Sequence, residues 1–118
     1  MSSADSSVLE FLKGQEICQI GFGMYDLQIN WGSGGLTCTG RLTFEPVDGV
    51  AAVWTEGHPL DGVPLLRLLK QTISEFESAS EGVLWLQFSN GDQLTITPEH
   101  GFESFTIDQQ GQPIIVGR

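Results

Sequence analysis

The sequence predicts a mainly β domain, with α+β as the other possibility, in which antiparallel meanders form a sandwich or a small barrel carrying one or two short helices. Three observations point there. Apolar and polar residues alternate with period two from Leu27 to Phe44. Asn90-Gly91, a favoured hairpin-turn pair, stands between two apolar runs. Fifteen glycines supply turns along 118 residues, a length that sets one small domain able to bury a core without disulfide or metal staples.

Taken in order, a short helix is expected around Phe11-Leu12, then a strand at 17–20. Leu27, Ile29 and Trp31 next alternate with Gln28 and Asn30 as a half-buried strand does. Gly21-Phe22-Gly23 and Gly32-Ser33-Gly34-Gly35 read as hairpin turns, because neither leads a strand into a helix with the spacing or lysine of a phosphate cradle. Beyond the second turn, Leu36, Cys38, Gly40, Leu42 and Phe44 share one side of a continuing strand. With Ser33-Gly34 as the turn, Trp31 faces Leu36, Ile29 faces Cys38 and Leu27 faces Gly40.

Residues 46–64 read as a connection. Leu65, Leu66, Leu69, Ile73 and Phe76 fall at helical spacing behind Pro64 and would allow one helix over 64–78. An internal similarity favours a short helix near 64–70 and a strand after it, with Ile73 and Phe76 on opposite faces or accommodated by a bulge. A type I′ turn at Asn90-Gly91 then pairs Trp85 with Ile96 and Gln87 with Leu94. It sets Leu84, Leu86 and Phe88 on the opposite face, beside Gln93, Thr95 and Thr97. A strand apolar on both faces is central and covered. A last pair of strands is expected near 105–107 and 113–116.

The similarity relates two pseudo-repeats, about 8–45 and 65–108, with a period of about 58 residues. Phe11-Leu12-Lys13-Gly14-Gln15-Glu16-Ile17 recurs with one deletion as Leu68-Leu69-Lys70-Gln71-Thr72-Ile73. Leu27-Gln28-Ile29 before Gly35-Leu36-Thr37 recurs as Leu86-Gln87-Phe88 before Gln93-Leu94-Thr95.

Charge sets the function classes. Fifteen acids against five bases give a net charge of −10, which disfavours nucleic acid and anionic membrane surfaces as partners. No apolar run reaches membrane-spanning length, and the N-terminus lacks a signal-peptide pattern, so a cytoplasmic location is expected. Cys18 and Cys38 have neither Cys-x-x-Cys spacing nor a nearby histidine, so reduced thiols and no cofactor or metal are expected.

Leu69-Lys70-Gln71-Thr72-Ile73, Phe88-Ser89-Asn90-Gly91-Asp92 and Phe102-Glu103-Ser104-Phe105-x-Ile107 follow one another in an order that resembles an uncharacterised family of small acidic bacterial proteins. That family has an aromatic-Glu-Ser-aromatic stretch near its C-terminus. The resemblance implies a bacterial, cytoplasmic, β-rich domain and carries over no catalytic residue. In size and acidity the chain is also similar, as a class, to immunity proteins that neutralise bacterial toxins.

Candidate chemistry is sparse. His100 lies between Glu99 and Glu103, a set that suits a metal or general base, yet Pro98-Glu99-His100-Gly101 has the composition of a solvated turn. His58 sits in the loop-like Glu56-Gly57-His58-Pro59, and Trp31, Trp54 and Trp85 divide between a pocket and the core. The most informative feature is charge placement. Residues 71–117 hold Glu75, Glu77, Glu81, Asp92, Glu99, Glu103 and Asp108 and no Lys or Arg. These acids, with Phe102 and Phe105 as apolar anchors, are the expected docking set for a basic protein, solubility being the alternative account. The expectation is a non-enzymatic binding protein, of immunity type at its most specific. A sensor or enzyme with a carboxylate and aromatic pocket is the second reading. The third is a self-associating domain using Phe102 and Phe105 at a strand edge.

Overall fold

Burial alternates along the strands and sorts them into two five-stranded antiparallel sheets whose apolar faces meet in one core. The computed structural model describes residues 6–79, 82–99, 104–110 and 112–117. Its strands are β1 (Ile17–Phe22), β2 (Leu27–Trp31), β3 (Gly34–Cys38), β4 (Arg41–Glu45), β5 (Ala52–Trp54), β6 (Ile73–Ala79), β7 (Val83–Phe88), β8 (Gln93–Thr97), β9 (Phe105–Gln109) and β10 (Gln112–Gly117). One sheet runs β1-β2-β3-β9-β10 and the other β5-β4-β8-β7-β6. The arrangement is a sandwich and not a closed barrel. Two 3₁₀ helices, Ser6–Leu12 and Pro59–Leu68, complete it.

Each half of the chain builds a three-strand meander in one sheet and then sends a hairpin into the other. β4-β5 joins β8, and β9-β10 joins β3. The crossing at Thr39-Gly40 corrects the single long strand expected from Leu36 to Phe44. Both backbone N–H groups there donate to the Ser104 carbonyl, at 2.9 and 3.0 Å, and a Cβ on Gly40 would strike the Thr97 carbonyl oxygen. β5 lies within the stretch expected to be a plain connection.

Where the halves meet, their hydrogen bonds are reciprocal. Ile17 N–H donates to Gln71 O at 2.9 Å and Ile73 N–H to Gln15 O at 3.0 Å; Gly14 N–H donates to Ile73 O and Lys70 N–H to Ile17 O, both at 2.8 Å. Gly14 and Lys70 both have positive φ, 88° and 74°. Leu9 and Leu12 of the first helix are buried like Leu65 and Leu68 of the second. A bulge interrupts β1 between Ile17 and Gln19, and another interrupts β6 between Ile73 and Glu75. The second bulge resolves the spacing of Ile73 and Phe76, since both then pack on the core. By strand register, Leu27-Gln28-Ile29 occupies the place of Leu84-Trp85-Leu86, two residues from the correspondence that sequence similarity suggests.

Both expected hairpin registers are corrected. In the first, Trp31 faces Gly34, Ile29 faces Leu36 and Leu27 faces Cys38, so Gly32-Ser33 form the turn. Gly34 and Gly35 are needed inside β3, because side chains there would collide with the Asp108 carbonyl and the Asn30 side chain. The shift is by two, which keeps the apolar residues on one face. In the second, Leu84 faces Ile96 and Leu86 faces Leu94, one residue away from the expected pairing. Asn90 does not have positive φ; Gly91 alone does, at 93°. Gly91 N–H donates to Phe88 O and Phe88 N–H to Asp92 O, each at 2.9 Å, as in a three-residue loop closed by a glycine bulge. The slip puts Leu84, Leu86, Phe88, Leu94 and Ile96 together in the core.

Candidate functional site

Among the described residues the expected docking acids do not share one surface. Glu75 and Glu77 are exposed on β6, an edge strand of one sheet, where charge discourages strand addition. Asp108 is exposed on β9, opposite Gly35, on the outer face of the other sheet. Glu99, half-buried, follows the end of β8. Phe105 is buried in β9 between β3 and β10, so it is neither exposed nor at an edge. Glu81, Phe102, Glu103 and His100 lie outside the described residues.

Asp92 is fully buried and serves the fold. Its carboxylate accepts from Val47 N–H at 2.9 Å, from Arg67 Nε at 2.7 Å and from Asn90 Nδ2 at 2.9 Å. Its own N–H donates to Asn90 Oδ1. Arg67 extends on to Asp48, Nη2 to Oδ1 at 3.0 Å. Together these contacts tie the β4–β5 loop, the second helix and the β7–β8 turn. The Asp92 hydrogen bond, and then Asp48, raise the Arg67 pKa above its ordinary value, so the guanidinium stays charged. Lys13 is shared between Glu75 at 3.5 Å and Glu10 at 3.8 Å.

The second helix carries a feature that sequence reasoning missed. Side chains three apart eclipse in a 3₁₀ helix. Gly62, Leu65 and Leu68 therefore share the buried side, while Leu60, Val63, Leu66 and, just past the end, Leu69 form a second row exposed by 81, 44, 41 and 38%. Gly62 lets the helix lie close, since a Cβ there would come within 2.9 Å of Phe22 and Leu27. At the row's start, Gly57 N–H donates to Met24 O at 2.6 Å, bringing the β1–β2 loop alongside. That loop exposes Met24 and Tyr25 by 55 and 69%. Among the described residues the other large exposed apolar side chains are Val47, Val50 and Val53, on the β4–β5 loop and β5. Reading the sequence at intervals of three from Leu60 is the signal that finds the row; an α-helical period conceals it.

Gly57, His58, Pro59, Leu60 and Asp61 line a shallow, open depression beside the row. His58 is exposed there. Trp31 and Trp54 are buried in the core, whereas Trp85 is half-buried and donates to Gln93 Oε1 at 2.9 Å. Cys18 and Cys38 are both free, exposed and buried respectively. Among the described residues no three of His, Cys, Asp and Glu converge as a metal site would require, and no helix is long and apolar enough to cross a membrane.

Fold and surface together define an antiparallel β-sandwich of exchanged hairpins with an exposed apolar helix row. Over residues 8–117 the chain belongs to a family of unknown function, DUF6188. No curated protein and no solved structure matches it.

Proposed function

We propose that the chain is a non-enzymatic binding protein whose partner is a basic protein. One observation carries this reading: among the described residues exposed acids outnumber the four exposed cations, and two of those four are already held by acids. Lys13 is held by Glu10 and Glu75, and Arg67 by Asp48 and Asp92, whereas Glu45, Glu56, Asp61, Glu77 and Asp108 stand exposed. An anionic surface of this kind accelerates encounter with a cationic partner and repels nucleic acid and anionic lipid. A cytoplasmic bacterial setting and a basic toxin as the partner are the most specific form of the proposal, in the manner of immunity proteins. The reciprocal hydrogen bonds between the halves support reading the chain as one domain of two pseudo-repeats.

The test is capture from a native lysate at low salt, followed by association kinetics of the recovered protein across ionic strengths. A basic partner whose on-rate falls steeply with salt, with a nearly constant off-rate, is the expected result. Neutral or acidic partners would overturn the proposal. A metabolite held at the Gly57–Asp61 depression, with no protein partner, would replace it by the small-molecule reading.

A further inference from the structure

We infer that the row Leu60, Val63, Leu66 and Leu69, with Met24 and Tyr25 beside it, is where this protein seats its partner, and that the partner presents apolar side chains set among lysines or arginines. The inference rests on the basic-partner reading and gives it a place.

The fold itself does not require leucine at these positions. By the reciprocal contacts that relate the halves, Leu66 and Leu69 stand where the first helix has Glu10 and Lys13. That helix buries Leu9 and Leu12 as the second buries Leu65 and Leu68, yet at the places of Leu66 and Leu69 it has charged residues that pair with each other at 3.8 Å. The two matching places thus carry an ion pair on one helix and exposed leucines on the other. Contiguous exposed apolar surface of this kind marks interaction sites.

Charge selects the occupant. Exposed Glu56 and Asp61 flank the start of the row and exposed Lys70 follows its end, while Arg67, on the neighbouring row, is already bound to Asp92 and to Asp48, itself 69% exposed. A second copy of the chain would bring two bodies of net charge −10 together, so a cationic partner fits better. Apolar anchors surrounded by complementary charge are the usual division between binding energy and encounter rate.

The test uses the full chain and three synthetic probes: an amphipathic helical peptide of Lys and Leu, an oligolysine of equal charge, and the corresponding Glu and Leu peptide. Leu66→Glu with Leu69→Lys installs the first helix's residues without changing net charge. This double variant should weaken the Lys/Leu peptide about tenfold or more while leaving oligolysine unchanged, and the Glu/Leu peptide should not bind. Leu60→Gln, at the most exposed position of the row, should act in the same direction about threefold and guards against a folding defect in the double variant. Equal binding of the Lys/Leu peptide to parent and variants overturns the row as the seat but leaves the basic-partner reading standing. Failure of both cationic probes removes both. Binding of the Glu/Leu peptide overturns the choice of charge. A dimer in sedimentation that the double variant abolishes would assign the row to a second copy.

Discussion

Asp92→Ala separates a structural acid from a docking acid. The buried carboxylate accepts from Val47 N–H and Asn90 Nδ2, each at 2.9 Å, besides Arg67. Truncation leaves those two donors without their acceptor, at about 1–3 kcal/mol for each that water cannot reach. Arg67 is itself 39% exposed and rehydrates, so it adds little. Both donors are only partly buried, which puts the total at about 2–4 kcal/mol. With a urea slope of about 2 kcal/mol per M, a loss of about 3 kcal/mol moves the denaturation midpoint by about 1.5 M. Asp92→Asn keeps an oxygen for Val47 and should cost about half as much. Equilibrium urea unfolding followed by tryptophan fluorescence provides the assay. A midpoint shift under about 0.3 M for Asp92→Ala would refute the reasoning, and so would a slowed association with a basic partner in a variant that remains fully folded.

Three further outcomes follow from the same structure. Gly91→Val places a β-branched residue at φ 93°, with its Cβ about 3.2 Å from Val47, and should destabilise by about 2–4 kcal/mol in the same assay. Native protein should expose one fast thiol, Cys18, to a disulfide reagent, with Cys38 reacting on unfolding. Burial pushes the Cys38 thiol up from 9.0 to about 12, against a smaller opposing effect of a backbone hydrogen bond at Gly40. Because the folded state holds this proton more tightly, the thiol's contribution to stability is full below pH 9.0 and is lost as pH rises towards about 12. Unfolding midpoints measured across that range should fall less steeply in Cys38→Ala than in the parent.

Period-two alternation made the strands legible, and with them the mainly β class, because each half-buried strand shows its core face in the sequence. Registers were less accessible. The Asn90-Gly91 pair suits a two-residue turn, but Asp92 is drawn in by Val47 and Arg67, contacts between segments far apart in the chain. That pull lengthens the loop by one residue and reverses which side of β7 faces its partner's apolar side. β5 escaped notice because Ala52-Val53-Trp54 is too short to show alternation. Where the acids lie depends on topology. The hairpin after each meander goes to the other sheet, so Glu77 on β6 and Asp108 on β9, close in a charge tally, end on opposite outer faces.

On the proposed reading, the second helix and the β1–β2 loop seat a basic partner. Amide chemical-shift mapping of the isotopically labelled chain, titrated with the captured basic protein, tests it most directly. Perturbations should concentrate at residues 23–26 and 57–69, with Asp92 and the outer faces of both sheets undisturbed. A footprint centred on Gln28, Thr37, Thr106 and Asp108, the outer face of the β1-β2-β3-β9-β10 sheet, would contradict it.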